Sequence, residues 1–241
     1  MRLTLRSADL ARSFIHTYNA RMDASRQRQK SAAADARNVA RAPADSGTRD
    51  RLLNTGLELA REQGLKGLSI RGVAAAAEVN LGSFVYHFGT RDAFVYELVE
   101  RWYAPLFAEL QLSAAGPDAL RVVLLQLARW VAANGRFLAF LLRDAAAGEV
   151  GVQQFLATMD QRHIALLLGL IQQGQRDGRL RPAEPTLQLM FLVGSLVLPI
   201  LMVQGLQGIG PTAFVARLQQ LAGDAQAIES RLDWALRGLA A

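Results

Sequence analysis

The hydrophobic positions that follow residue 68 repeat every three or four residues, and residues that favour helix starts interrupt them twice. The hydroxyl of Ser69 can cap the first helix, because an N-cap oxygen accepts a hydrogen bond from the first turn. Asn80 can cap a second helix, in which Phe84 and Phe88 share one face at i and i+4 spacing. The pattern therefore predicts two short helices joined by a tight turn.

The second predicted helix, 81–87, has an outward face of mixed character. With the two phenylalanines pointing inward, its outward positions are Leu81, Ser83, Val85, Tyr86 and His87. A helix that is held by one face and shows aromatic and polar side chains on the other is suited to contact a partner. In a helix-turn-helix, that partner is the major groove of DNA.

The rest of the chain shows helical periodicity and no sustained alternation of period two, which predicts an all-α fold. A helix from Thr90 to about Ala104 is followed by Pro105 and by further helices. These are predicted, between glycine, asparagine and proline breaks, at 118–134, 135–146, 150–177, 185–204, 211–222 and 224–239. The predicted organisation is an extension, a small helix-turn-helix domain and a larger helical domain, at 1–47, 48–104 and 105–241.

The most apolar segment of the chain is 189–203. Its fifteen residues fall short of the roughly 20 that span a bilayer, so we expect no membrane association. A helix that is apolar all round has to be buried on nearly every side. One face can therefore pack on its own domain while the other packs on a partner.

The order of the short segments from residue 48 onwards is typical of one known family. Residues 48–53 match the start of the first helix and Gly64 its end, and residues 69–74 match the second helix. Residues 79–83 match the turn and the third helix, and residues 86–94 match the exit into the fourth helix. Over about residues 48–100 the chain resembles the TetR family of transcriptional regulators. The family often has a basic residue where this chain has Leu81 and an aromatic one where it has Val85, so the base-reading set is unlike the commonest one.

The resemblance implies which side chains meet DNA. The candidates for base edges are Asn80 and Ser83, with Leu81 and Val85 for thymine methyl groups. The candidates for the phosphate backbone are Thr48, Arg49, Ser69, Arg71, Tyr86, His87 and Arg91. Control by repression is also an implication of the resemblance alone.

The resemblance further implies a homodimer and a small-molecule effector bound in the larger domain. The candidate interface residues are Leu189, Val193, Val197, Ile200, Ile228, Leu232 and Leu236. The candidate pocket residues are Trp102, Phe107, Trp130, Phe137, Phe140, Phe155, Met159, His163 and Phe191. Each pocket candidate is also compatible with a plain core role. An apolar lining favours a hydrophobic or amphipathic effector, with His163 placed to orient a polar group.

The net charge of +6 is concentrated at the N-terminus. Residues 1–47 hold nine basic and four acidic side chains, whereas 48–104 hold seven of each. The composition of the extension predicts a mobile segment. Two interpretations of it are open: a basic arm that follows the phosphate backbone, or a non-functional extension ahead of a later start, with Met22 the next candidate.

Other function classes find little support in the sequence. There is no cysteine, and His16, His87 and His163 do not have the spacing of metal ligands. The glycine-rich stretch 205–210 has the wrong order for a nucleotide loop, so we expect no enzyme activity, cofactor or metal. The first ten residues lack an apolar run, which predicts a cytoplasmic protein. The alternative function is a helical protein-interaction module that does not bind DNA, favoured by the neutral 48–104 segment.

Overall fold

The computed structural model describes residues 43–116, 118–205 and 213–241. The regular secondary structure in these residues is mainly α-helix. In chain order the helices are α1 Pro43–Gln63, α2 Ile70–Ala76, α3 Leu81–Phe88, α4 Arg91–Ser113, α5 Ala119–Ala146, α6 Val150–Leu156, α7 His163–Arg176, α8 Pro185–Leu196, α9 Leu198–Gly205, α10 Ala213–Ala222 and α11 Ala225–Leu239. A short 3-10 turn, Met159–Gln161, separates α6 from α7. The prediction of an all-α fold is confirmed.

Local hydrogen bonds set the limits of the first helices, as the sequence predicted. Ser69 Oγ accepts from Gly72 N at 3.0 Å at the start of α2, and Asn80 Oδ1 accepts from Ser83 N at 2.8 Å at the start of α3. Gly64 ends α1 with a φ of +85°, a value that glycine adopts without steric strain. Helix α1 begins earlier than the predicted Thr48, at Pro43. The rest of the predicted extension, 1–42, lies outside the described residues.

Three phenylalanines anchor α3 to α4. Phe84, Phe88 and Phe94 are buried, with ring centroids 4.9 to 5.2 Å apart. Gly56 of α1 lets that helix approach closely, since a Cβ there would lie 2.5 Å from Phe94 Cζ. These contacts form the small domain's core and fix which face of α3 points outward.

Helix α4 continues to Ser113, so the predicted end near Ala104 is wrong. Pro105 removes one backbone donor, but it lies on an exposed face of the helix. The buried positions Trp102, Leu106 and Leu110 hold the helix on both sides of the proline. Helix α4 therefore crosses the predicted domain boundary at 104–105 without interruption.

Helix α5 also runs through a predicted break, at Asn134–Gly135. The Asn134 amide donates to Trp130 O at 2.9 Å, and its carbonyl oxygen accepts from Trp102 Nε1 at 3.1 Å. Gly135 is buried and faces Gln204, whose Nε2 would lie 3.2 Å from an added Cβ. Tertiary packing thus outweighs the weak helix preference of both residues.

Two predicted long helices are divided instead. The segment 150–177 splits into α6, the 3-10 turn and α7, and 185–204 splits into α8 and α9, which are bent by 45°. Pro199 lies in the first turn of α9, where a proline is tolerated, but it cannot continue the hydrogen-bond ladder of α8. Within the described residues no single helix is long and apolar enough to cross a bilayer; α8 and α9 meet the length and composition test only as a bent pair. The predicted loop at 205–210 lies, beyond Gly205, outside the described residues.

Candidate functional site

Helix α3 presents a partly apolar face to solvent. Leu81, Val85 and Tyr86 are 41%, 50% and 76% exposed, while Ser83 and His87 are half-buried. The tyrosine and histidine rings meet edge to face, with centroids 5.2 Å apart. Because Phe84 and Phe88 hold the opposite face, these outward side chains are displayed on a rigid helix.

The cap of α3 uses some of the hydrogen-bonding atoms on this face. Asn80 Oδ1 accepts from both the backbone N and the Oγ of Ser83, at 2.8 and 3.1 Å. Asn80 therefore retains its amide N–H groups as outward donors. An amide donor suits the acceptor atoms of a base edge, whereas the carbonyl oxygen is committed to the cap.

The arginines around α3 differ in what they contact. Arg71 is exposed and forms no ion pair with any residue that the structure describes. Arg49 pairs with Glu97 and lies over the ring of Phe88 at 5.5 Å. Thr48 is half-buried, and its Oγ1 lies 3.5 Å from the guanidinium of Arg51. Arg71 is thus the candidate best placed for a phosphate.

The predicted phosphate contact of Arg91 is wrong, because its guanidinium points into the protein. Arg91 Nε donates to Leu68 O and Nη2 to Leu65 O, both at 2.8 Å, and Nη1 donates to Glu149 Oε1 at 2.6 Å. Glu149 is buried. Arg91 therefore holds the loop between α1 and α2 instead of reaching DNA.

A second buried carboxylate holds the same loop. Asp144, near the end of α5, accepts from the backbone N of Leu65 at 2.7 Å and of Lys66 at 3.0 Å. We call Arg91, Asp144 and Glu149 the loop clamp. No sequence motif marks these residues, because the contacts that hold the loop join positions 23 to 79 residues apart. The clamp ties the small domain to α5 and α6.

A cavity of about 380 Å³ lies among α4, α5, α6, α7 and α8. Five predicted pocket residues line it: Trp102, Trp130, Phe155, Met159 and His163. Eleven further residues line it that were not among the predicted pocket residues: Tyr103, Leu106, Leu127, Val131, Leu138, Leu141, Leu142, Leu156, Ile164, Val193 and Val197. The lining is aromatic and aliphatic apart from one polar pair.

Four predicted pocket residues lie elsewhere. Phe107 stacks on Tyr103, and Phe137 packs edge to face against Trp102. Phe140 lies under the guanidinium groups of Arg136 and Arg143, and Phe191 is half exposed. These four residues do not line this cavity, and the sequence did not distinguish them, because a bulky apolar side chain has the same sequence signature in a cavity wall, in a core or on a surface.

The polar pair in the cavity is Tyr103 and His163. Tyr103 Oη lies 2.8 Å from His163 Nδ1. Burial, with a smaller effect of the charge on Arg162, lowers the pKa of His163 to about 4. Burial raises the pKa of Tyr103 to about 12. Both side chains are therefore neutral near pH 7, and the wall of the cavity carries hydrogen-bonding groups without charge.

Comparison with known proteins places the small domain in a family. Residues 52–98, from α1 to α4, match the family model "Bacterial regulatory proteins, tetR family". Residues 52–98 therefore form a helix-turn-helix of the TetR family. The matched segment contains the capped helix-turn-helix and the phenylalanine anchor described above, so the resemblance inferred from the sequence is confirmed.

Relatives of this chain include two curated repressors. The HTH-type transcriptional repressor NemR of Escherichia coli strain K12 is 39% identical over 57 residues, which cover 24% of this chain and 29% of NemR. The HTH-type transcriptional repressor KstR2 of Rhodococcus jostii strain RHA1 is 27% identical over 142 residues, 56% of this chain and 69% of KstR2. The SmeT–triclosan complex shares the fold, with a TM-score of 0.59 at 18% identity over 81% of this chain and 92% of that one.

The predicted dimer residues face the interior of their own protomer, which favours a core role for them. Leu189, Ile200, Ile228 and Leu232 are buried in the chain's own core, Val193 and Val197 line the cavity, and Leu236 packs against the core. An apolar residue at three- or four-residue spacing marks a buried face without saying whether a core or a partner covers it.

The opposite face of α8 and α9 carries a second apolar row. We call it the outer stripe: Leu187, Met190, Phe191, Leu198 and Met202, each at least half exposed. Trp234 of α11 is also exposed. Exposed rows of large apolar side chains are typical of interaction surfaces. The helix pair is therefore apolar on both sides, and the described residues of the chain cover only the inner side.

Proposed function

We propose that the protein is a homodimeric transcriptional repressor that binds a near-palindromic operator and releases it when a small hydrophobic or amphipathic effector binds. The observation that carries the proposal is α3, which displays Leu81, Val85 and Tyr86 outward on a helix anchored by phenylalanines. Residues 48–104 would be the DNA-reading domain and 105–241 the effector and dimerisation domain, with α4 shared between them. Two recognition helices would enter successive major grooves roughly 34 Å apart.

The relatives support this proposal in part. NemR and KstR2 are named as repressors, and the SmeT structure is named as a complex with triclosan. A small molecule bound to a protein of this fold supports an effector role for the cavity among α4 to α8. The base-contacting and phosphate-contacting assignments rest on the exposed side chains of this chain.

The loop clamp offers a route from the cavity to the DNA-reading domain. Leu141 lines the cavity just before Asp144 on α5, and Phe155 lines it shortly after Glu149 at the start of α6. A ligand that displaces these walls also displaces the carboxylates that hold the loop before α2. Effector binding would thereby favour a dimer whose two recognition helices no longer match the groove spacing.

A mobility-shift assay with DNA fragments from upstream of the protein's own gene tests this function directly. Wild-type protein should retard one fragment in the presence of excess unrelated DNA, and Val85→Glu should not, because a carboxylate would face the phosphate-lined groove. Glu58→Gln, an exposed position of α1, serves as the control. The alternative of a non-DNA-binding interaction module predicts no retardation of any upstream fragment.

Replacing Arg71 should reduce affinity for all DNA sequences alike. We expect Arg71→Ala to flatten the slope of log affinity against log salt by about one, because one phosphate contact releases about one counterion. Tyr86→Ala should weaken binding without changing that slope, since the phenol is uncharged. Arg176→Ala on α7 is the matched control. Salt slopes that agree between wild type and Arg71→Ala would contradict the phosphate assignment.

Removing residues 1–41, ahead of α1, should leave the choice of operator unchanged. This segment holds nine basic and three acidic side chains, a net charge equal to that of the whole chain, so it can add affinity for any DNA by releasing counterions. The shortened chain should keep its melting temperature, and any loss of affinity should shrink as salt rises. A melting temperature several degrees lower would instead show that the segment packs on the rest of the protein.

A further inference from the structure

The cavity among α4 to α8 has the composition of a site for a flat, apolar molecule. Trp102 and Trp130 meet there with ring centroids 4.4 Å apart, and Phe155 packs edge to face on Tyr103 at 5.4 Å. The volume of about 380 Å³ lies in the range of small-molecule sites. Aromatic walls favour an aromatic ligand, because offset and edge-to-face contacts add to the gain from burying apolar area.

The charged groups next to this cavity form an ion pair. Arg162 Nη1 donates to Glu100 Oε1 at 2.9 Å, and Nη2 lies 2.7 Å from Oε2, so that the charge of Arg162 is neutralised. The indole N–H of Trp102 donates to Asn134. Among the lining residues that the structure describes, Tyr103, His163 and the indole N–H of Trp130 retain hydrogen-bonding capacity, and the indole can only donate. A ligand carboxylate would therefore lose its water without gaining a cation.

The Tyr103–His163 pair offers one donor and one acceptor to a ligand in either arrangement of its protons. If the phenol donates to Nδ1, then Nε2–H is a donor and the phenol oxygen an acceptor. If Nδ1–H donates to the phenol oxygen, then the phenol O–H is a donor and Nε2 an acceptor. A hydroxyl group both donates and accepts, so it satisfies the pair in both cases.

From these observations we infer that the cavity selects neutral aromatic molecules that carry a hydroxyl group, and that the Tyr103–His163 pair recognises this hydroxyl. The inference rests on the proposed effector site and names the chemical class of its ligand. Tyr103 and His163 are then the residues that determine specificity, while the apolar walls supply most of the affinity.

Three probes of the same ring size test the inference: 1-naphthol, naphthalene and 1-naphthoate. In equilibrium dialysis near pH 7, naphthol should bind about three- to tenfold more tightly than naphthalene, as expected for one neutral hydrogen bond. Naphthoate should bind at least tenfold more weakly than naphthol, because its charge is desolvated without a partner. A preference for naphthoate, or binding of none of the probes, would overturn the inference.

Substitutions then locate the hydroxyl. Tyr103→Phe should bring naphthol down to the affinity of naphthalene and leave naphthalene unchanged. His163→Phe should give the same equality, and it covers the case in which Tyr103→Phe fails to fold. Tyr96→Phe, which removes a hydroxyl from the same helix outside the lining residues, should retain the full naphthol preference.

An unchanged naphthol-to-naphthalene ratio in folded Tyr103→Phe would place the hydroxyl elsewhere and overturn the assignment. Dialysis contains no DNA, so its result is independent of whether the protein binds an operator. A mobility shift on the same samples reports on the repressor function separately. The two proposals can therefore fail independently of each other.

Discussion

The variant Asp144→Ala should lower the free energy of unfolding by about 2–5 kcal/mol. Asp144 is buried and accepts from two backbone N–H groups, those of Leu65 and Lys66. Each buried donor left without an acceptor costs about 1–3 kcal/mol. For a chain of this size about 2–4 °C is lost per kcal/mol, so we expect the melting temperature to fall by roughly 5–15 °C.

Two related variants show whether the clamp is the cause. Asp144→Asn keeps a carbonyl oxygen that can accept from both donors, so its melting temperature should fall by less than half as much. Asp118→Ala removes an exposed carboxylate that makes no cap hydrogen bond and should have little effect. Calorimetry measures the melting temperatures of the three variants and tests this order. Equal melting temperatures for Asp144→Ala and Asp118→Ala would show that Asp144 does not hold the loop.

The clamp also predicts an effect on DNA binding. The loop that Asp144, Glu149 and Arg91 hold connects α1 to α2, so its position sets the orientation of the helix-turn-helix on the rest of the chain. Asp144→Ala, assayed well below its melting temperature, should therefore bind the operator more weakly than wild type. The cause would be a less fixed orientation of the helix-turn-helix, since Asp144 itself is buried and cannot contact DNA.

A charge in the outer stripe should separate the proposed dimer into folded monomers. Phe191 is half exposed in the protomer and would be covered in a dimer formed by α8 and α9. An aspartate there would be buried without a partner, at a cost of about 3–5 kcal/mol. The dimer dissociation constant of Phe191→Asp should then rise by about two to four orders of magnitude, and operator affinity should fall with it.

The same substitution on the inner face should have a different result. Leu232 is fully buried in its own protomer, so Leu232→Asp should unfold or aggregate the chain instead of producing a monomer. Leu112→Asp, at an 81% exposed leucine of α4, is the control that should remain a dimer. Sedimentation velocity and circular dichroism distinguish these states. A Phe191→Asp dimer of unchanged affinity would place the interface elsewhere.

The features that sequence analysis predicted correctly depend on neighbours along the chain. The caps at Ser69 and Asn80 bond to residues three positions away, and the end of α1 needs only a glycine that adopts a positive φ. The inward direction of Phe84 and Phe88 follows from their four-residue spacing. Such local interactions recur whenever the same short sequence occurs, which is also why the family could be identified from them.

The predicted helix breaks failed where burial outweighed local preference. Asn134–Gly135 and Pro105 are helix breakers by propensity, yet both lie inside helices whose flanking residues are buried. A breaker costs about 1–3 kcal/mol, and the burial of several large side chains on either side exceeds that. Local preference alone therefore placed breaks where the tertiary structure keeps continuous helices.

The sequence by itself determined the helical class of the chain, the helix-turn-helix, its outward residues and the presence of a strongly apolar region near the C-terminus. Only the tertiary structure decided which face of that region is covered by its own chain, which aromatic residues enclose the cavity, and that Arg91 points inward to Glu149. The physical reason is range. Periodicity and capping act over a few residues, whereas the choice of partner for a charged or apolar side chain depends on groups that folding brings together from distant positions.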